Sequence, residues 1–159
     1  ELHEADGYKL FRLPGKSIPE WFEHCINESS ISFWFRYKFP VISLSYVFVG
    51  PGFDAKWLRM YINGERYLSL DMFPEDISGD LLYICDHIEE LIHDYVPSEN
   101  EWNRVVCIVP CVKQIGIHVL KQGSNMEDIQ FTNPYIKTRK QEKRDFHNLP
   151  TWGKKKRRD

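Results

Sequence analysis

The chain has 159 residues, 42% of them hydrophobic and 14% aromatic, which is enough apolar material for one folded core and too much for a disordered chain. No uninterrupted apolar run approaches the roughly 20 residues of a membrane-spanning helix. The net charge of −2 conceals a division: residues 137–159 hold ten Lys and Arg against three Asp and Glu, and the rest is acidic. An acidic body is a poor partner for a phosphate backbone, so nucleic-acid contact is confined to nonspecific contact through the basic end.

In chain order, short strand-like runs alternate with turn residues. Residues 8–13 alternate loosely and stop at Leu13-Pro14-Gly15. Residues 30–36 alternate cleanly, with Ile31, Phe33 and Phe35 on one face and Ser32, Trp34 and Arg36 on the other. After Pro40, residues 41–49 are apolar on both faces, as in a central strand covered on two sides. Residues 57–62 and 65–71 flank Asn63-Gly64, the dipeptide of a type I′ hairpin, because both central positions need φ above zero. Leu58, Met60 and Ile62 share a face in the first arm, and Arg66, Leu68 and Leu70 are expected to continue it in the second.

Residues 80–96 carry apolar side chains at helical spacing, yet Leu82, Ile84 and Ile88 also fit alternation. Residues 102–109, 115–120 and 129–131 complete the strand candidates, with turn residues 121–125 between the last two. Roughly eight short strands separated by regular turns imply an antiparallel all-β sandwich over residues 1–136. Residues 137–159 are expected to be a disordered basic tail. Because the chain begins at Glu1, with neither Met nor a leader, it is read as a piece of a longer protein.

Chemistry-bearing motifs are sparse. Gly50-Pro51-Gly52 lacks the Lys and Ser or Thr of a phosphate loop, and no nucleophile elbow is present. Cys25, Cys85, Cys107 and Cys111 read as reduced, buried thiols. Neither Cys85 with His87 nor Cys107 with Cys111 has the paired spacing of a zinc site, so no metal and no cofactor is expected. His24 beside Cys25 reads as a strand-edge histidine next to a buried thiol rather than a catalytic pair. The clusters 137–144 and Lys154-Lys155-Lys156-Arg157-Arg158, about ten residues apart, fit a two-part nuclear-localisation signal.

The segments Leu13-Pro14-Gly15, Ile18-Pro19-Glu20-Trp21-Phe22-Glu23-His24 and Ser29-Ser30-Ile31-Ser32-Phe33 resemble the opening of the domain that follows the leucine-rich repeats in plant TIR-type NLR immune receptors. That module is known as the C-terminal jelly-roll/Ig-like, or post-LRR, domain. Asp86-His87, Glu101-Trp102-Asn103 and Gly116-Ile117-His118-Val119 follow in the same order, so the resemblance runs from about residue 10 to 135. Within it, Pro14 and Gly15 make a turn, and Pro19 keeps the chain extended ahead of Trp21. Trp21 and Phe22 are expected to supply large buried area, with His24 and Trp102 as further structural positions. Gly116 admits a close neighbour.

The resemblance implies a strand at 82–88 and a helical turn over 89–95. It also implies a sensor rather than an enzyme. Such a domain acts with the adjacent repeats of its own receptor to bind a pathogen effector or a guarded host protein. The NAD-consuming TIR domain lies outside this chain. The implied compartment is the cytoplasm, and the basic end adds a route into the nucleus; no membrane partner is implied.

Contact residues are expected on loops 50–56, 72–79, 97–101 and 121–127, with Phe53, Asp54, Lys56, Phe73, Glu75, Asp76, Lys121 and Asn125 as candidates. The competing readings are three. One is a carbohydrate-binding β-sandwich using Trp34 and Trp57. Another is a nuclear adaptor acting through the basic end. The last is a small hydrolase built on His24, His87 or His118.

Overall fold

The structure is a computed structural model. It describes residues 2–5, 8–49, 57–71, 80–92, 94–98, 100–110 and 112–136, with side chains from residue 11 onward except 49, 57, 71 and 80. The candidates Phe53, Asp54, Lys56, Phe73, Glu75 and Asp76, the basic residues Lys154 to Arg158, and Cys111 lie outside the described residues.

Eleven strands are present among the described residues: β1 (Leu2–Ala5), β2 (Tyr8–Pro14), β3 (His24–Ile26), β4 (Ser30–Phe35), β5 (Ile42–Val49), β6 (Trp57–Ile62), β7 (Glu65–Asp71), β8 (Asp80–Asp86), β9 (Asn103–Ile108), β10 (Val112–Val119) and β11 (Ile129–Gln130). Two 3-10 turns, Ile88–Leu91 and Met126–Asp128, are the only helical pieces described. The first sheet has the order β1-β2-β8-β5-β10-β3 and the second β11-β4-β9-β6-β7, antiparallel throughout.

The eight strands β3 to β10 therefore form two facing four-strand layers, β3-β10-β5-β8 and β4-β9-β6-β7. Apart from the β6–β7 hairpin, consecutive strands of this set lie in opposite layers. That is the strand order of a jelly roll, an eight-stranded double Greek key, and not that of an immunoglobulin sandwich. Strands β1 and β2 extend one edge of this unit, and β11 extends another.

The main core lies between the sheets. In β4, Ile31, Phe33 and Phe35 point inward and Ser32 and Trp34 outward, as the alternation requires. Opposite them are Leu44, Tyr46, Tyr83, Cys85 and Ile117 from the first sheet. Tyr46 and Tyr83, cross-strand partners on β5 and β8, stack at 5.3 Å with ring planes 10° apart.

A second, smaller core covers the outer face of the first sheet. Val47, Leu82 and Ile84 meet Ile18 and Phe22 from the segment between β2 and β3. This explains why β5 and β8 are apolar on both faces: each is covered on both sides. It also explains the helix-like spacing of residues 80–96. A doubly covered strand has little alternation to read, and Ile88 and Ile92 of the following turn are buried too. The strand ends at Asp86 rather than at 88, because His87 takes a left-handed conformation with φ 58°.

Three other expectations need correction. Trp21 is 52% exposed; only Phe22 of that pair enters a core. Cys25 is exposed, because β3 is a three-residue edge strand, whereas Cys85 and Cys107 are buried. Burial pushes the Cys107 thiol up to about 12. Arg66 does not share a face with Leu68: a register shift between Met60 and Tyr61 sets Arg66 opposite Tyr61, and it is exposed. Strand β3 has too few residues for its periodicity to register, and β1 was not anticipated. The hairpin turn itself has Asn63 at φ 52° and Gly64 at φ 85°, as a type I′ turn demands.

Gly116 sits where β10 meets β3. A β-carbon there would lie 2.9 Å from Cys25 Sγ and 3.2 Å from both the His24 carbonyl oxygen and Ile18 Cδ1. Gly116→Ala is expected to cost about 2 kcal/mol by overpacking. Adding Cys25→Ala should recover part of that loss, because the nearest clash is with the thiol. Urea unfolding of the two variants checks this; an unchanged midpoint in Gly116→Ala would contradict the described β3–β10 contact.

Candidate recognition surface

The strand registers separate the connections into two ends of the sandwich. At one end, Ile42 pairs with Val119, Phe35 with Asn103 and Ile62 with Val105. The β4–β5 loop, the Asn63-Gly64 turn, the β8–β9 segment and the β10–β11 segment therefore converge there. At the opposite end, β5 finishes at Val49 beside Asp80, and β7 finishes at Asp71 beside Trp57. Of the four loops proposed from sequence, 97–101 and 121–127 belong to the first end. Loops 50–56 and 72–79 follow strands that finish at the second.

The first end is held by specific polar contacts. Val41 N donates to Ser124 Oγ at 2.8 Å and Leu120 N to the Val41 carbonyl at 2.9 Å. Gly123, at φ 94°, makes that turn; its position would bring a β-carbon within 3.0 Å of Val41. Arg36 Nε meets Asp128 Oδ1 at 2.7 Å, and its guanidinium lies over the Trp102 ring at 4.8 Å. Asn103, fully buried, is the hub. Its amide nitrogen donates to the carbonyls of Phe35 (3.4 Å) and Glu101 (3.2 Å). Its amide oxygen accepts from Asn63 (3.0 Å) and from the Tyr95 hydroxyl (3.2 Å). One side chain thus joins three connections. Tyr67 on β7 donates to Asp94, tying the hairpin to the same region.

Backbone strain is concentrated here. All four described non-glycine residues with positive φ belong to this end: Tyr37 (67°), Asn63 (52°), His87 (58°) and Asn100 (59°). Asn and His adopt this conformation more readily than most residues, whereas Tyr rarely does unless surrounding contacts impose it. Tyr37 is tied to Asn100 through a hydroxyl-to-amide bond of 3.4 Å.

Between these loops lies a groove of about 680 Å³. Phe39, Val41, Ile92, Tyr95, Pro97 and Leu120 make its apolar surface, and Tyr37, Lys38, His87, Glu89, Glu90 and Gln122 supply its polar groups. A second groove of about 400 Å³ lies across the Tyr37-Lys38-Phe39 ridge and is lined by Arg36, Ser124, Asn125 and Asp128. Glu89 is the unusual group. One carboxylate oxygen meets His87 Nδ1 at 3.2 Å, and the other is buried without a hydrogen-bond partner among the described residues. Burial pushes this carboxyl above its ordinary value, and the neighbouring His87 opposes the effect only in part.

A raised folded-state value means that the charged form costs stability. The stabilising contribution is complete below the ordinary value of 4.5 and is lost as pH rises through the raised value. Glu89→Gln should therefore raise the thermal midpoint at pH 7 and leave it nearly unchanged at pH 4. Melting curves across that range check the sign; a Gln variant less stable at pH 7 would contradict it.

Lys121 is exposed on this end, within the β10–β11 connection. Asn125 is exposed as well, and its side-chain oxygen caps the turn that follows, accepting from Glu127 N at 3.1 Å. The β4–β5 loop, with Tyr37, Lys38 and Phe39, did not figure among the sequence candidates. Its signal was the run of aromatic and basic residues ahead of Pro40, which read only as a strand interruption.

The motif residues lie mostly elsewhere. Pro14 closes β2, and Gly15 packs on Leu82, 3.3 Å from where its β-carbon would be. The carbonyl of Pro19 accepts from Phe22 N at 3.1 Å, closing a turn. Trp21 meets the His118 ring edge-on at 5.1 Å, and His118 pairs with Glu23 at 2.8 Å. His24 lies flat on Phe131. Trp102 carries Arg36, and its backbone N donates to the Tyr135 hydroxyl at 3.1 Å. Trp34 is half-buried and leans on Tyr135 at 5.8 Å, while the side chain of Trp57 lies outside the described residues.

Among the described residues, no group of three or more His, Cys, Asp or Glu side chains is arranged to hold a metal. No described helix is long and apolar enough to cross a membrane. No family model, no curated protein and no solved structure matches this chain.

Proposed function

We propose that this chain is the protein-recognition domain of an intracellular plant TIR-type NLR immune receptor, acting beside the leucine-rich repeats of the same receptor. Its role would be to bind a pathogen effector, or a host protein that the effector alters, more favourably in the active arrangement than in the resting one. The ordered motifs between residues 10 and 135 and the jelly-roll strand order support the family reading. The observation that carries the recognition reading is the grooved end. Four connections converge on it, a buried asparagine joins three of them, and Tyr37, His87 and Asn100 take left-handed backbone there. Rigidly held loops are the usual seat of binding specificity.

The test uses the full receptor expressed in leaves with the effector that triggers it. Tyr37→Ala and Lys121→Glu, at exposed residues, should weaken or abolish cell death, while an autoactive receptor carrying the same changes still signals. A full response from folded variants at this end would overturn the recognition surface. A second reading, a carbohydrate-binding jelly roll, is favoured by one observation: the groove sets exposed Tyr37 beside Glu89, Glu90 and Gln122, residue types that hold sugars. Glycan-array binding that maps to this groove would favour it.

A further inference from the structure

The larger groove at the loop end has a composition that selects its occupant, and the inference rests on the protein-recognition reading above. Its apolar surface comes from Phe39, Val41, Ile92, Tyr95, Pro97 and Leu120. Its charged groups are two carboxylates, Glu89 and Glu90, against one ammonium, Lys38. We infer that the groove receives an arginine side chain of the partner protein, with the aliphatic stem on the apolar surface and the guanidinium against the Glu89–Glu90 wall.

Three features converge on that occupant. A basic side chain with a long aliphatic stem covers apolar surface while keeping its charge at a polar rim, which matches the division of this groove. A planar guanidinium also lies favourably over aromatic faces, and Tyr37 and Tyr95 both line the groove. Tyr37 is 53% exposed, with the chain's own Arg36 guanidinium already over its ring at 5.4 Å, so Tyr95 is the ring without a described cation on it. Finally, Glu89 lines the groove with a mostly buried side chain, one oxygen on His87 and the other enclosed without a partner among the described residues, so its charge is poorly solvated. An arriving cation offsets that cost. The preference for arginine over lysine follows from its fixed fork of donors, which suits carboxylates, and from its weaker hydration.

The whole 159-residue chain, titrated with Nα-acetyl-arginine amide and followed by amide NMR, tests this. Shifts are expected at residues 37–39, 87–92 and 120–122. The citrulline analogue, equal in shape but uncharged, should bind at least tenfold more weakly. Glu89→Gln should weaken arginine binding about tenfold, with Glu90→Gln as a second variant should the first perturb the fold. Equal binding of arginine and citrulline, or shifts confined to other surfaces, would overturn the proposal.

Removal of residues 137–159, which hold ten Lys and Arg, should leave the affinity unchanged. If arginine binds only after that removal, the occupant is this chain's own basic end, and the proposal fails. The recognition reading has its own readout. Arginine binding in the groove of a receptor whose response ignores this end would leave the groove standing and sink the immune role.

Discussion

Phe35→Ala is expected to lower the unfolding free energy by about 4 kcal/mol. Phe35 is 0% exposed and ends β4 where the main core meets the loop end. Its ring packs edge-on against Phe39 at 5.1 Å and Tyr95 at 6.2 Å, so it supports two of the connections that form the groove. Truncation would leave a cavity that two rigid sheets cannot fill, which puts the cost at the upper part of the usual range. Trp34→Ala, one residue earlier, removes a larger ring from the outward face, where it is half-buried. It should cost less than half as much. Urea unfolding of both variants measures the difference. Equal losses would contradict the assignment of β4 to the boundary between core and surface.

Asn103→Ala is expected to cost about 3 kcal/mol through lost and unsatisfied hydrogen bonds rather than lost volume. The substitution removes two donors and one acceptor at a fully buried site. The Phe35 carbonyl, which accepts one of those bonds, is in the interior and has little access to water. Asn103→Asp should not restore the wild type, because a carboxylate cannot donate to the Phe35 and Glu101 carbonyls and would be charged in a buried place. The secondary effect is local: hydrogen exchange at residues 63–64 and 94–102 should rise more than in the sheets. Destabilisation without that local signature would mean that Asn103 does not join the loops.

These two residues show what could be read beforehand. Phe35 was legible because β4 alternates, one face in and one face out. The Asn63-Gly64 turn was legible because its dipeptide has a backbone requirement of its own. Asn103 was visible as part of a motif, but its role as hub was not. Its four partners come from positions 35, 63, 95 and 101, and no local pattern links them. The ambiguity at residues 80–96 has a physical origin as well: β8 is buried on both faces, so alternation vanishes where burial is complete.

The grouping of connections at the loop end was half legible. Turn-forming composition marked loops 97–101 and 121–127, yet only strand order shows that they share an end with 36–41 and 87–92, away from the ends of β5 and β7. The exposure of Trp21 was illegible for a similar reason. Residues 19–22 form a turn laid on the first sheet, and in a turn only one neighbour of a pair faces in. Here Phe22 took the inward position against Val47 and Leu82.

The most direct test of recognition at the loop end is hydrogen–deuterium exchange on the full receptor with and without its triggering effector. Protection on binding is expected in residues 36–41, 87–98 and 120–125. Protection confined to residues 50–56 and 72–79, or none anywhere in this chain, would contradict the account.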